Sequence, residues 1–185
     1  MVLPIGGVGR KAWRSPEMPL TSSENHQGRR LALQMLCSLD VQGEDGWACL
    51  DSFLAEQDEP DAVKCWAREL ARATFAGRAR WDEEIAGVSQ RWDVPRMGLV
   101  DRNILRMALY ELSRPEITPF RVTMNEAIEL AREFGTEESP FFVNGVLDAV
   151  WKQRNKGDKG ATERSPQQRG SDAAGSGSRV EKGER

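Results

Sequence analysis

The chain has 185 residues, of which 39% are hydrophobic and 30% charged, with a formal net charge of -3 and a mean hydropathy of -0.58. That length admits one domain of ordinary size with ragged ends, and apolar runs such as Phe141-Phe142-Val143 are far too short to span a bilayer. Met1 to Arg14 lack the charged-then-apolar order of a secretory signal, so a cytoplasmic location is expected.

In chain order, residues 1–28 are punctuated by Pro4, Pro16, Pro19 and the Gly6-Gly7 pair, which predicts a disordered extension with Met18 as a second candidate start. The folded body is expected over 29–152, and its apolar period is helical. Ala32, Met35, Leu36 and Leu39 share one face of a first helix, and Trp47, Leu50, Phe53 and Leu54 mark a short second one. Pro60 suits a first helical turn, where its missing N–H costs nothing, and it precedes the stripe Val63, Trp66, Ala67, Leu70 and Thr74. Trp81, Ile85 and Val88 trace a fourth helix, and Val100, Ile104, Met107, Ala108 and Glu111 or Leu112 a fifth after Pro95. Thr123-Met124-Asn125-Glu126 has capping-box spacing, opening a helix toward Phe134 with Gly135 as a left-handed stop. Ser139-Pro140 is a cap-and-first-turn pair that opens a helix through Val143, Val146, Leu147, Val150 and Trp151. Strand-like alternation is missing from the body, which predicts an all-α fold of six to seven helices joined by short loops. Residues 153–185 hold six glycines, four serines and no apolar side chain larger than Val180, the composition of a disordered low-complexity tail.

Chemistry-bearing residues are few. Cys37, Cys49 and Cys65 form no C-x-x-C pair and precede no histidine, which argues against a zinc site; they read as small apolar residues buried on helix faces. The single histidine, His26, falls in a polar segment expected to be mobile, so a histidine-dependent hydrolase is set aside, and neither catalytic residues, metal ligands nor a cofactor are expected. Residues 1–152 carry 18 Lys/Arg against 24 Asp/Glu. A body this acidic cannot hold nucleic acid by general phosphate neutralisation; any contact must be local or shared with a more basic partner. The compact basic pairs are Arg29-Arg30 and Arg102/Arg106, and as surface arginines they would need no function.

Two stretches go beyond what helix-making requires: DRNILRMALYEL over 101–112, and VTMNEAIELAREFG followed by TEESPFFVNGVLD over 122–148. With the earlier RRLALQMLCSLD (29–40) and SFLAEQD (52–58), they resemble the NusB family of bacterial transcription antitermination factors from about Arg29 to Trp151. The resemblance implies two small helical bundles packed together and pairing with NusE, which is also a small-subunit ribosomal protein. It further implies binding of boxA-type leader RNA of ribosomal RNA operons and passage of the RNA polymerase elongation complex through terminators. By similarity, Asp101, Phe134, Glu138 and Phe142 lie near RNA, and Arg29 and Arg30 match the end of the family's basic amino-terminal segment. Self-association through the same face, as in some family members, makes a homodimer possible.

The residues are compatible with that assignment. Unpaired bases stack on aromatic side chains and offer their edges for hydrogen bonds; Phe134 and Phe142 flank Gly135 and a capped helix start, and Asn144 can both donate and accept. The chain departs from the family at Glu24 to Gly28, where arginines are common, and at Cys37, where a tyrosine is usual. Both departures imply low intrinsic RNA affinity. Two alternatives follow. One is a NusE-binding scaffold with weakened RNA recognition. The other is a helical accessory module related to the amino-terminal domain of ribosomal RNA cytosine methyltransferases, against which stand the polar sequence after residue 152 and the lack of a cysteine beyond Cys65.

Overall fold

The structure, a computed structural model, describes residues 20–88 and 93–162, with side chains through 155. Among them are seven α-helices and no strand: α1 (Ser22–Gln42), α2 (Trp47–Ala55), α3 (Asp61–Ala76), α4 (Arg78–Val88), α5 (Leu99–Leu112), α6 (Phe120–Phe134) and α7 (Ser139–Thr162). Single 3-10 turns at Gly43–Gly46 and Val94–Arg96 lead into α2 and toward α5.

The first helix starts earlier than the Arg29 boundary expected from composition. Thr21 and Glu24 form a reciprocal capping box, in which the Glu24 amide donates to Thr21 Oγ1 (3.2 Å) and the Thr21 amide donates to Glu24 Oε2 (2.7 Å). Two orphan donors are thereby satisfied, so Ser22 to Gly28 are helical and His26 is held in place. The last helix likewise continues past Lys152 to Thr162, into the segment expected to be a disordered tail. The remainder of the expected extension and tail, 1–19 and 163–185, lies outside the described residues.

α1, α2 and α3 pack as one bundle and α4 to α7 as a second, with α5 touching α1, α3, α4, α6 and α7. The two share one continuous core, because α5 is enclosed on all sides: every residue from Asn103 to Leu112 is buried. The apolar stripes expected on α1, α3 and α5 face this core, including Met35, Leu36, Trp66, Leu70, Ile104 and Met107. α1 and α3 approach closely because Gly28 has no side chain; a Cβ there would collide with the Trp66 ring. Gly43, at φ 68°, takes the left-handed conformation that ends α1 and costs any L side chain energy.

Two expected boundaries move. α6 begins at Phe120, after Pro119, so the expected capping box at Thr123 lies inside the helix and the Thr123 hydroxyl is buried. The cause is anchoring of the first turn: Phe120 stacks on Trp151 of α7 with ring centroids 4.2 Å apart and planes 27° from parallel. Gly135 ends α6 as expected but in extended backbone (φ -94°, ψ -163°), not the left-handed region. It is required by close approach, since a Cβ would lie 2.5 Å from Ser139 Cβ and 2.6 Å from the Ala131 carbonyl oxygen.

Candidate nucleic-acid interface

Three helices build the candidate surface. α1 presents His26, Arg29 and Arg30 to the carboxylates of α5 and α6. Arg29 is only 3% exposed: its Nε and Nη2 donate to the two oxygens of Glu111 at 3.2 and 2.9 Å, and Nη1 lies 3.5 Å from Glu126. Its guanidinium also sits 5.3 Å from the centre of the Trp66 ring. Burial raises the Glu111 carboxyl above the usual carboxylate range, against the pull of Arg29 and with the Glu126 charge acting in the same sense as burial. Arg29, expected at the RNA surface, is thus an interior residue that ties α1 to α5, because Glu111 offers a bidentate partner inside the protein.

Arg30 is half-buried instead, with its Nε enclosed and without a hydrogen-bond partner among the described residues. Its Nη2 lies 2.6 Å from Glu133, Nη1 donates to Gln27 at 2.6 Å, and the guanidinium stands 5.6 Å from the Phe134 ring. His26 completes this edge, with Nδ1 2.9 Å from Glu126 and Nε2 3.6 Å from Glu133. Arg30 and Phe134, 104 positions apart in sequence, are brought together because α1 and α6 both pack on α5, and their side chains meet across it.

The α6–α7 connection carries the rest. Ser139 Oγ accepts from the Thr136 amide (2.9 Å) and fixes the start of α7. Glu138 is exposed, Phe142 is half-buried against the core, and Asn144 is exposed one turn further along. Asp101 sits in the first turn of α5, half-buried, with Oδ1 enclosed and unpartnered among the described residues. Among the described residues, Asp101 makes no hydrogen bond or ion pair with the other candidates. Phe141 is the residue that sequence reasoning passed over. It is 83% exposed, the most exposed large apolar side chain among the described residues. The signal was available: Phe141 falls off the Val143, Val146, Leu147, Val150 stripe that faces the core.

The second basic pair is also internal. Arg106 donates from Nε and Nη2 to Asp82 (both 2.7 Å), and its Nη1 lies 2.9 Å from Asp40; Arg102 holds the other Asp40 oxygen at 2.8–2.9 Å. Asn103 donates to Asp40 at 3.0 Å and to the Leu99 carbonyl at 2.9 Å. Arg102 and Arg106 line a groove of about 640 Å³ between α4 and α5, but both already face carboxylates, so the groove has little positive charge to offer a phosphate. Neither pair is the solvated surface pair that the sequence suggested.

The cysteines also differ from expectation, since Cys49 and Cys65 are exposed and only Cys37 is half-buried. Burial and the neighbouring Asp40 charge push the Cys37 thiol up to about 11, which leaves it protonated and unreactive at neutral pH. Among the described residues no group of three His, Cys, Asp or Glu could hold a metal ion, and no helix is long and apolar enough to cross a membrane.

Among the described residues, seven helices around one continuous core, with Arg29 and Arg106 turned inward and an aromatic, amide-bearing edge near the start of α7, define an all-helical protein. The NusB family's sequence model matches residues 26–152. The transcription antitermination protein NusB of Geobacter sulfurreducens is 45% identical over 125 residues, spanning 66% of this chain and 90% of that protein. The structure of NusB from T. maritima superposes with a TM-score of 0.63 at 32% identity, covering 72% of this chain and 96% of that one. The chain belongs to the NusB family of transcription antitermination proteins. A crystal structure of antitermination factors NusB and NusE in complex with double-stranded RNA has the same fold, with a TM-score of 0.61 at 24% identity over 72% of this chain and 99% of that one.

Proposed function

We propose that this chain works in the cytoplasm as one half of a heterodimer with NusE, binds boxA-type leader RNA, and helps the RNA polymerase elongation complex through terminators in ribosomal RNA operons. The observation that carries this reading is the Arg30–Phe134 pair at the end of α6, a cation beside an aromatic ring, which the exposed Glu138 and Asn144 follow along the chain. The solved assembly of NusB with NusE and RNA supports it by likeness of fold. In this reading Arg30, Asp101, Phe134, Glu138, Phe142 and Asn144 face the RNA, while Arg29 positions α1 through Glu111. With one half-buried arginine at the centre of the surface, the chain contributes few phosphate contacts, and NusE supplies the rest by raising effective concentration on the same strand.

The test is a binding titration of a boxA RNA oligonucleotide with this chain, with NusE, and with both. Tighter binding by the pair than by either protein, and a shallow dependence on salt for this chain alone, are the expected results. Equal binding of a scrambled RNA by the pair would sink the assignment. A complex with NusE that forms normally but gives Arg30→Ala and wild type the same RNA affinity would favour the scaffold reading, which the inward turn of Arg29 makes a specific rival.

A further inference from the structure

α7 spends two positions on choices that the fold itself does not need. Phe141 leaves an aromatic ring 83% exposed, and Gly145 puts one of the poorest helix formers within a long helix. Packing explains other glycines of this chain: Gly28 makes room for Trp66, and Gly135 for Ser139 and the Ala131 carbonyl. Gly145 has no such reason, since a Cβ there would meet nothing within 4 Å. A glycine kept on an open helix surface leaves bare backbone for something outside the chain to approach.

The two positions are one feature. Phe141, Asn144 and Gly145 lie three and four residues apart on one face of α7, and Glu138 precedes the helix, three residues ahead of Phe141. Glu138, Asn144 and Gly145 are exposed with it. Phe142, the aromatic residue that the family resemblance points to, is half-buried against the core and gives its surface mainly to the protein. What this face offers is a flat ring, a low shelf of backbone beside it, an amide that donates and accepts, and a carboxylate that accepts. Nearby Glu137 adds a second negative charge, so a sugar–phosphate backbone is disfavoured directly over the ring, whereas an uncharged base is not.

We infer that Phe141 is the base-stacking platform of this chain: an unpaired nucleobase of the bound RNA lies on the Phe141 ring, extends over Gly145, and turns its edge to Asn144 and Glu138. The inference rests on the RNA-binding reading above and deepens it, by moving the principal stacking contact from the half-buried rings of Phe134 and Phe142 to the exposed one.

The test uses the full chain with NusE and a fluorescently labelled single-stranded boxA RNA oligonucleotide, alongside a separate titration of NusE binding. Phe141→Ala should weaken RNA binding roughly tenfold, the usual loss for one stacked base, while Phe141→Trp keeps or improves it, and NusE binding changes in neither. Gly145→Ala separates folding from binding by moving the two in opposite directions: the melting temperature rises because alanine favours helix, yet RNA affinity falls severalfold because the added methyl raises the shelf. Wild-type affinity in Phe141→Ala, with the wild-type chain itself binding RNA, overturns this inference alone. Loss of NusE binding in Phe141→Ala with RNA affinity unchanged overturns it in favour of a protein contact. Failure of the wild-type pair to bind the RNA at all overturns the functional reading on which it stands.

Discussion

α5 and α7 invert the usual distribution of side chains in opposite ways. α5 takes charged residues inside: Arg106 and Glu111 are 6% exposed, and each is held by a partner on another helix. α7 places a phenylalanine outside, at 83% exposure, over a helix surface that has room for a larger residue than Gly145. In α5 the charges join the two bundles, because α1 reaches Glu111 through Arg29 and reaches Arg102 and Arg106 through Asp40. In α7 the exposed ring joins nothing within the described chain. The lesson is that residue type alone does not separate scaffold from surface here. Basic side chains in an acidic NusB-family protein read as RNA contacts until their partners are seen, and a run of apolar side chains reads as core until its period is counted.

The sharpest way to break this comparison is to remove one α5 charge from its buried pair. Glu111→Ala takes the bidentate partner from the buried Arg29 guanidinium, leaving it Glu126 at 3.5 Å and the Trp66 ring, and the loss should be about 3 kcal/mol, the low end of the usual cost of breaking a buried pair. Urea unfolding followed by far-ultraviolet circular dichroism measures it; a loss below about 1 kcal/mol would mean that water reaches Arg29 and that the pair is a surface one. Gly135→Ala should come next, at about 1–3 kcal/mol for overpacking. Its backbone angles suit any residue, so the cost is steric, and the Ala131 carbonyl in the way is backbone that cannot rotate aside. Stability measured for Gly135→Ala and Gly145→Ala in parallel should change in opposite directions.

The helices themselves were largely legible. The stripe on α3 follows the helical period over several turns, and its residues are buried where the period puts them. By contrast, α5 is buried at every residue from Asn103 to Leu112, so its stripe announced a helix without showing how fully it is enclosed. What escaped reading was set by distance along the chain. Arg29 looks like a surface arginine in its own neighbourhood, and nothing near it reveals that a carboxylate 82 residues away will enclose it. The apparent capping box at Thr123 failed for a related reason: the spacing is local, but Phe120 finds Trp151 on another helix and starts α6 a turn earlier. His26 looked mobile because its segment is polar, while the Thr21 cap and the carboxylates of α6 make it ordered. Of the candidate RNA residues, Phe134, Glu138 and Asn144 were readable as a helix end and a helix start. The pairing of Phe134 with Arg30 was not, since it needs α1 and α6 both packed on α5.

The Asp40 cluster offers a smaller effect with a defined pH sign. Burial raises the Asp40 carboxyl, but hydrogen bonds and charge from Arg106 and Arg102 outweigh it and hold the group below the usual carboxylate range. The folded state therefore binds fewer protons than the unfolded state just below the ordinary aspartate value of about 3.9. The stabilisation is complete above that value and is lost as pH falls through it toward the folded-state value. Asp40→Asn should lower stability at neutral pH by about 1.5–3 kcal/mol, the range for a hydrogen bond to a charged group. It should also flatten the fall in stability between about pH 5 and pH 3 relative to wild type. Unfolding midpoints across that range check both, and an acid limb as steep in Asp40→Asn as in wild type would show that other carboxylates set it.

The smallest effect on stability belongs to the residue expected to matter most for binding. A phenylalanine in a packed core is worth about 3–5 kcal/mol over alanine, but the Phe141 ring has most of its surface in water before and after folding. Removing it forfeits little buried area, and alanine is if anything the better helix former, so Phe141→Ala should leave the unfolding free energy within about 0.5 kcal/mol of wild type. Denaturant titration of the two proteins at matched concentration decides it. A loss above about 1 kcal/mol would mean that the ring packs against the chain's own sequence, and the contrast between α5 and α7 would then close. A null result has a clear consequence: any change in RNA affinity caused by Phe141→Ala arises at the surface and not through a weakened fold.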